Sequence, residues 1–293
     1  MRRGAVAAAA LLLVGADARG VHAGPPARAG AYHVAMQSLS TTAARPLFAA
    51  HRGGALLWPE NSLLAYRNAL ALGADFLETD IHLTADDEVV VIHDPTLERT
   101  TTGHGAVRAA TRASLAAVRL KAADGSVTAE RLPTLADLLD LLAPSTARLL
   151  LEIKVDTARE AYPGIEDKAL ALVKARGLMD RVVVMAFEDA TVRRVRALEP
   201  GVRTTLLVGR GRVERARVGS QEAVRWATEA GATDLGIDYR LVDAGVVTAA
   251  RAAGLRVGVW TVNDEVAIQR MLDLGVDLVI SDRPDVVKRL LGR

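Results

Sequence analysis

Cysteine is absent from the 293-residue chain. That excludes disulfides, thiolate nucleophiles and Cys-ligated zinc, and it leaves the redox compartment open. Aromatic residues are only 3% of the sequence, against 50% hydrophobic residues in all, so the core has to be aliphatic, built from Ala, Leu and Val. Long apolar runs are missing too: the stretch Ala5–Val14 is too short to cross a bilayer. Neither charge sign dominates. The formal net charge is +2 with a pI near 9.1. The basic residues are spread along the chain, so the sequence offers neither a nucleic-acid tail nor a patch for membrane insertion. Mild basicity would suit an anionic small-molecule substrate, although a solvated surface is the plainer account. The length suits one large domain with a sizeable core, and nothing in the composition sets an oligomeric state.

What is present begins at the N-terminus. Arg2 and Arg3 precede the apolar stretch, and small-residue sites follow at Ala16-Asp17-Ala18 and Val21-His22-Ala23. This is the order of a secretory signal peptide over residues 1–23, which predicts a secreted or periplasmic protein with a mature N-terminus near Gly24. The lack of cysteine excludes a lipoprotein anchor. The alternative is a start at Met36 and a cytoplasmic protein. In either case residues 24–45, rich in Pro, Ala and Gly, read as a linker, and the folded domain as residues 46–293.

Within that domain, short apolar runs alternate with longer segments of helical periodicity. The runs are Leu47–Ala50, Phe76–Ile81, Leu149–Val155, Val182–Phe187, Thr204–Val208, Leu235–Ile237, Val257–Thr261 and Leu278–Ile280. The helical segments between them include Ser62–Leu72, Thr134–Leu142, Asp167–Ala175, Glu222–Ala230 and Glu265–Leu274, and glycines such as Gly73, Gly177, Gly231, Gly254 and Gly275 mark helix ends. Eight strands each followed by a helix is the α/β pattern of a TIM (β/α)₈ barrel. A doubly wound open sheet is the alternative, but no Gly-x-Gly-x-x-Gly turn follows the first run.

One run breaks the pattern. Val89–Ile92 follows the second strand after too few residues for a parallel crossover, so it has to return antiparallel as a hairpin. A turn centred on Asp86-Asp87 would set Asp80 opposite His93. The next barrel strand comes only after residues 95–133, an inserted cap segment after the second strand that is expected to hold one short helix around Thr111–Leu120.

Barrel strands are covered on both faces, so a charge inside one needs a reason. Glu78 and Asp80 are two apart and share a face, and Glu152 and Lys154 repeat the spacing. Three acidic groups aimed at one space repel unless a cation holds them, and an oxygen-only set favours Mg²⁺ or Ca²⁺. An internal salt bridge between Glu152 and Lys154 is the competing account. Lysine is also the rarer choice here: Arg supplies most of the 37 basic residues, so a lysine in a strand suggests a point-like cation for a phosphoryl or alkoxide oxygen. Among the six histidines, His51 and His93 each end an apolar run, where barrel enzymes keep their sites. His22 and His33 fall in the tail. His82 on the hairpin and His104 in a glycine-flanked loop read as surface residues.

The ordered motifs make a larger pattern. They are Ala50-His51-Arg52-Gly53, Pro59-Glu60-Asn61-Ser62, Glu78-Thr79-Asp80, Val90-Val91-Ile92-His93-Asp94 and Arg99-Thr100-Thr101-Thr102-Gly103. Leu132-Pro133-Thr134-Leu135, Leu151-Glu152-Ile153-Lys154, Val259-Trp260-Thr261-Val262-Asn263 and Ser281-Asp282-Arg283-Pro284 follow. In this order, from about Leu47 to the C-terminus, they resemble the glycerophosphodiester phosphodiesterase family. The resemblance implies a TIM barrel with an inserted cap, catalytic histidines at His51 and His93, and one divalent ion on Glu78, Asp80 and Glu152. It further implies phosphate contacts from Arg52 and Lys154 and metal-dependent hydrolysis of glycerophosphodiesters to glycerol 3-phosphate and an alcohol. Trp260, closing the seventh barrel strand, is expected either to line the alcohol pocket or to pack the barrel top. The family's usual asparagine before Gly103 is Thr102 here, in a loop read as peripheral. Two rival functions stand beside this one. The first is phospholipase D-like cleavage of lysolipids, which needs a wide apolar cap. The second is non-catalytic binding of glycerol phosphates, which would tolerate loss of a histidine or a carboxylate; none is lost.

Overall fold

Strands buried on both faces are apolar along most of their length, and the eight apolar runs do become the staves of one barrel. The computed structural model describes residues 45–293. The expected signal peptide, nearly all of the linker and the alternative start at Met36 lie outside the described residues. The strands are β1 (Leu47–Ala50), β2 (Phe76–Leu83), β3 (Val89–Val91), β4 (Arg119–Lys121), β5 (Val127–Arg131), β6 (Arg148–Ile153), β7 (Val182–Ala186), β8 (Arg203–Val208), β9 (Asp234–Asp238), β10 (Arg256–Trp260) and β11 (Leu278–Ser281). All neighbours in the ring β1-β2-β6-β7-β8-β9-β10-β11 are parallel, and β11 pairs back onto β1, which closes the barrel.

Helices cover the outside, except for one short helix in the cap. They are α1 (Leu63–Leu72), α2 (Arg112–Leu115), α3 (Leu135–Leu142), α4 (Ile165–Ala175), α5 (Asp189–Leu198), α6 (Arg210–Ala216), α7 (Glu222–Glu229), α8 (Ala244–Ala252), α9 (Glu265–Asp273) and α10 (Pro284–Leu290). Ser62 caps α1 by accepting from the Ala65 amide, and Thr134 and Asp137 close a reciprocal cap on α3. The chain leaves α1 through Gly73 in the left-handed region, φ +84, where a glycine ends a helix at least cost. No described helix is long and apolar enough to cross a membrane.

Three apolar cores follow from strand parity. The main one lies between strands and helices. A smaller one fills the barrel with Phe76, Leu150, Val183, Met185, Leu207 and Ile280. Phe76 and Leu150 are at even positions of β2 and β6, so Glu78, Asp80, Glu152 and Lys154 continue the same inward rows toward the C-terminal mouth.

The third core belongs to the cap, where Val90 and Ile92 meet Leu97, Val107, Leu115, Leu120 and Leu132. The expected helix over Thr111–Leu120 shrinks to the single turn α2. Leu115 is its only fully buried residue, and the chain then extends so that Leu120 can enter the same core from β4. Strands β4 and β5 form an antiparallel hairpin that the sequence reading did not foresee.

The β2–β3 hairpin is present, but its register is shifted by one. Ile81 faces Val91 and His82 faces Val90, so Asp80 stands opposite Ile92, whose amide donates to the Asp80 carbonyl at 3.0 Å. The cause is the turn: Thr84 and Glu88 close it around three residues, and Asp87 takes φ +65.

Candidate active site

The barrel gathers the charged residues at one mouth. His51 follows β1 directly, in a tight turn where Arg52 has φ +51 and Gly53 φ +83. A Cβ on Gly53 would lie 2.7 Å from that of Ala65, so glycine is what lets this turn press against α1. Register sets Asp80 beside Glu152 on the neighbouring strand. One carboxylate oxygen each from Glu78, Asp80 and Glu152 lies within 4.8 Å of the other two, and all three residues are buried. A cleft of about 100 Å³ opens here. Its ionisable lining is His51, Arg52, Glu78, His93, Glu152 and Lys154, and Met185, Phe187, Leu207 and Trp260 are among its apolar lining. Trp260 also packs on the barrel's inner core and meets the Phe187 ring edge-on at 5.4 Å, which is the packing role expected of it.

Each histidine is fixed through Nδ1. His51 Nδ1 donates to Asp282 Oδ1 at 2.6 Å, and Asp282 is held in turn by Asn263 Nδ2 at 2.7 Å. His93 Nδ1 donates to Asp94 Oδ1 at 2.7 Å. That leaves both Nε2 atoms free for proton transfer. The surroundings differ. Burial acts to lower the His51 pKa, but Glu78 and the Asp282 hydrogen bond outweigh it and raise it above the ordinary value. Burial depresses His93 to about 4, helped by Lys154 and Arg52 against Asp80.

Two carboxylates of the cluster carry opposite bias. Burial and the Asp80 charge push Glu78 up to about 8. Burial opposes ionisation of Asp80 as well, but Lys154 foremost, then His93 and Arg52, hold it well below the usual range. Burial also raises Glu152 against the pull of Lys154. Lys154 pairs with Glu152 and lies 2.9 Å from Asp80 Oδ1, near enough for an ion pair but off the direction of a hydrogen bond. The salt bridge considered for the Glu152–Lys154 spacing therefore exists, alongside the three-carboxylate cluster. It does not exhaust the acceptors: Glu78 Oε2 accepts from the Arg52 amide at 2.7 Å, while buried Glu78 Oε1 has no hydrogen-bond partner. The Arg52 guanidinium donates to Glu60 at 3.0 Å, and its Nε lies 3.5 Å from Asp80.

The ordered motifs converge on this one mouth of the barrel, and comparison with known proteins gives the family. The profile of the glycerophosphoryl diester phosphodiesterase family matches residues 51–286. The chain belongs to that family. A glycerophosphodiester phosphodiesterase from Caldanaerobacter subterraneus subsp. tengcongensis is 32% identical over 250 residues, covering 85% of this chain and 99% of the relative. Among solved structures, a glycerophosphodiester phosphodiesterase from Parabacteroides distasonis superposes with a TM-score of 0.68 at 25% identity, covering 85% of this chain and 97% of that one. A phosphodiesterase from Oleispira antarctica, solved in complex with the product sn-glycerol-3-phosphate, shares the fold with a TM-score of 0.70 at 24% identity and covers 85% and 97%.

Several residues that support the cleft were given no role by the sequence. Asn61 donates to Asp80 Oδ2 at 2.9 Å, and Tyr66 Oη lies 2.7 Å from Asn61 Oδ1. Asn61, Asp94, Asn263 and Asp282 all sit inside quoted motifs without having been given roles there. His82 is a correction. It is fully buried, not a surface residue. Its Nε2 donates to the His93 carbonyl at 3.1 Å, and its Nδ1 accepts from the Tyr162 hydroxyl at 2.9 Å. Burial lowers its pKa to about 4, which suits this neutral tautomer. Its parity with Glu78 and Asp80 was the available signal. His104 is exposed, as expected.

Proposed function

We propose that this chain hydrolyses glycerophosphodiesters to glycerol 3-phosphate and an alcohol, with His93 as general base and His51 as general acid. The observation that carries the reading is the pair of Nδ1-anchored imidazoles facing one cleft that also holds the three-carboxylate cluster. The names of the matched relatives support it, and so does the glycerol phosphate bound by the Oleispira fold relative.

Glu78, Asp80 and Glu152 fit a divalent cation, since they converge and leave Glu78 Oε1 without a protein partner. Oxygen ligands alone favour Mg²⁺ or Ca²⁺. When bound, such an ion would neutralise charge at the phosphate. The remaining work falls to side chains. Arg52 presents a planar fork and Lys154 a compact charge to the non-bridging oxygens. His93 Nε2 takes the proton from the attacking hydroxyl, supplied by water or by the adjacent glycerol hydroxyl. His51 Nε2 gives a proton to the departing alcohol oxygen. Phe187 and Trp260 wall the side on which the alcohol sits. A lysolipid substrate would need apolar surface on the cap, whose buried apolar side chains instead close on their own core.

The test is incubation with glycerophosphocholine and, separately, lysophosphatidylcholine, followed by phosphorus NMR. We expect glycerol 3-phosphate and choline from the first, with the second turned over far more slowly. Turnover of the lysolipid alone would refute the assignment.

The cluster also makes a pH-linked prediction. Without metal, Glu78 holds a proton at pH 7, because burial and Asp80 place its pKa at about 8. An entering cation has to displace that proton, so Mg²⁺ binding at pH 7 releases protons. Calorimetry in buffers of different ionisation enthalpy should show buffer-dependent binding heats. Binding heats independent of the buffer would contradict this picture.

A further inference from the structure

The loop Arg99–Gly103 was read as peripheral, and for Thr102 that holds: it accepts from the Arg119 amide, inside the cap. Arg99 does something else. Its Nε and Nη2 donate to the two oxygens of Asp94 at 2.5 and 2.9 Å. Its Nη1 and Nη2 donate to the two oxygens of Glu60, both at 2.9 Å. Each of these carboxylates has a second contact. Asp94 holds His93 Nδ1, and Glu60 accepts from Arg52. One guanidinium therefore holds together two acidic groups that would otherwise repel, and each group orients a different member of the site.

We propose that Arg99 is a positioning residue for the reaction, the link through which the cap fixes both His93 and Arg52. It acts entirely through Asp94 and Glu60. Two forked contacts need the planar, five-donor guanidinium, which a lysine ammonium does not reproduce. The Arg99 side chain is 47% exposed, so it fills no core, and free guanidinium can reach its place. The inference rests on His93 being the acid–base group proposed above.

The experiment measures kcat and KM on glycerophosphocholine for R99A, R99K, H93A, and R99A added to E60Q/D94N. Guanidinium chloride is compared with sodium chloride at equal low concentration, and thermal melts confirm folding. We expect R99A to lose about 10–100-fold in kcat/KM, the usual cost of removing a residue that orients a catalytic group. R99K should not restore it, and guanidinium should recover part of the R99A loss and none of the H93A loss. In the E60Q/D94N background, R99A should change activity by less than about threefold, because its partners are already gone. Near wild-type activity in H93A would overturn the functional reading itself. An impaired H93A together with an active R99A, an active R99K, or no guanidinium rescue would overturn the role of Arg99 alone. If R99A fails to fold, R99K decides between the same outcomes.

Discussion

Replacing either His51 or His93 with alanine is expected to lower kcat by about 10²–10⁴-fold, the range for loss of a general acid or base. Both rings spend Nδ1 on a carboxylate, Asp282 or Asp94, so each has one nitrogen left for proton transfer. Substrate binding should change much less, because Arg52 and Lys154 remain to hold the phosphate. The two losses should combine far less than multiplicatively, since the residues act as a unit. Their surroundings separate the roles. His51 holds the Asp282 carboxylate at 2.6 Å through Nδ1; this favours a protonated ring able to donate. Burial and the cations Lys154 and Arg52 keep His93 neutral, as a base has to be. A p-nitrophenyl ester of glycerol phosphate, whose leaving group needs no proton, should therefore rescue H51A and leave H93A impaired. Rescue of H93A instead would exchange the two assignments. Near wild-type kcat in both variants would remove the pair from the mechanism.

The barrel was legible because parallel strands covered on both faces leave unbroken apolar runs, and because glycines mark where helices stop. The charged set was legible for the same reason: Glu78, Asp80 and Glu152 are acidic residues within runs that are otherwise largely apolar. What stayed hidden depends on closure and on turns. The contact between His51 and Asp282 joins residues 231 apart, made only when β11 pairs with β1. The hairpin register depended on how many residues the turn takes, and three instead of two moved Asp80 from His93 to Ile92. Arg99 looks unremarkable along the chain. Its importance comes from where the cap places it, and spacing alone does not carry that. The cap hairpin was missed because β5 alternates half-buried and exposed residues, a weak signal in a segment rich in alanine and charge.

Removing the carboxylates should have the other large effect. E78Q, D80N and E152Q nearly preserve shape, yet each takes away a charge from a cluster whose oxygens lie within 4.8 Å of one another. We expect each to lose about 10²–10³-fold in kcat or more, as when a preorganised electrostatic contact is deleted. D80N should suffer most, since Asp80 is the ionised member that Lys154, Asn61 and Arg52 surround. Metal affinity, read by calorimetry, should fall in step with activity. The metal-free wild type should resemble the variants. The most direct test of the whole account is therefore glycerophosphocholine turnover by chelator-treated protein, shown by elemental analysis to carry no metal, before and after Mg²⁺ or Ca²⁺ is added. The account predicts no turnover before and full turnover after; undiminished turnover in the verified metal-free protein would contradict it.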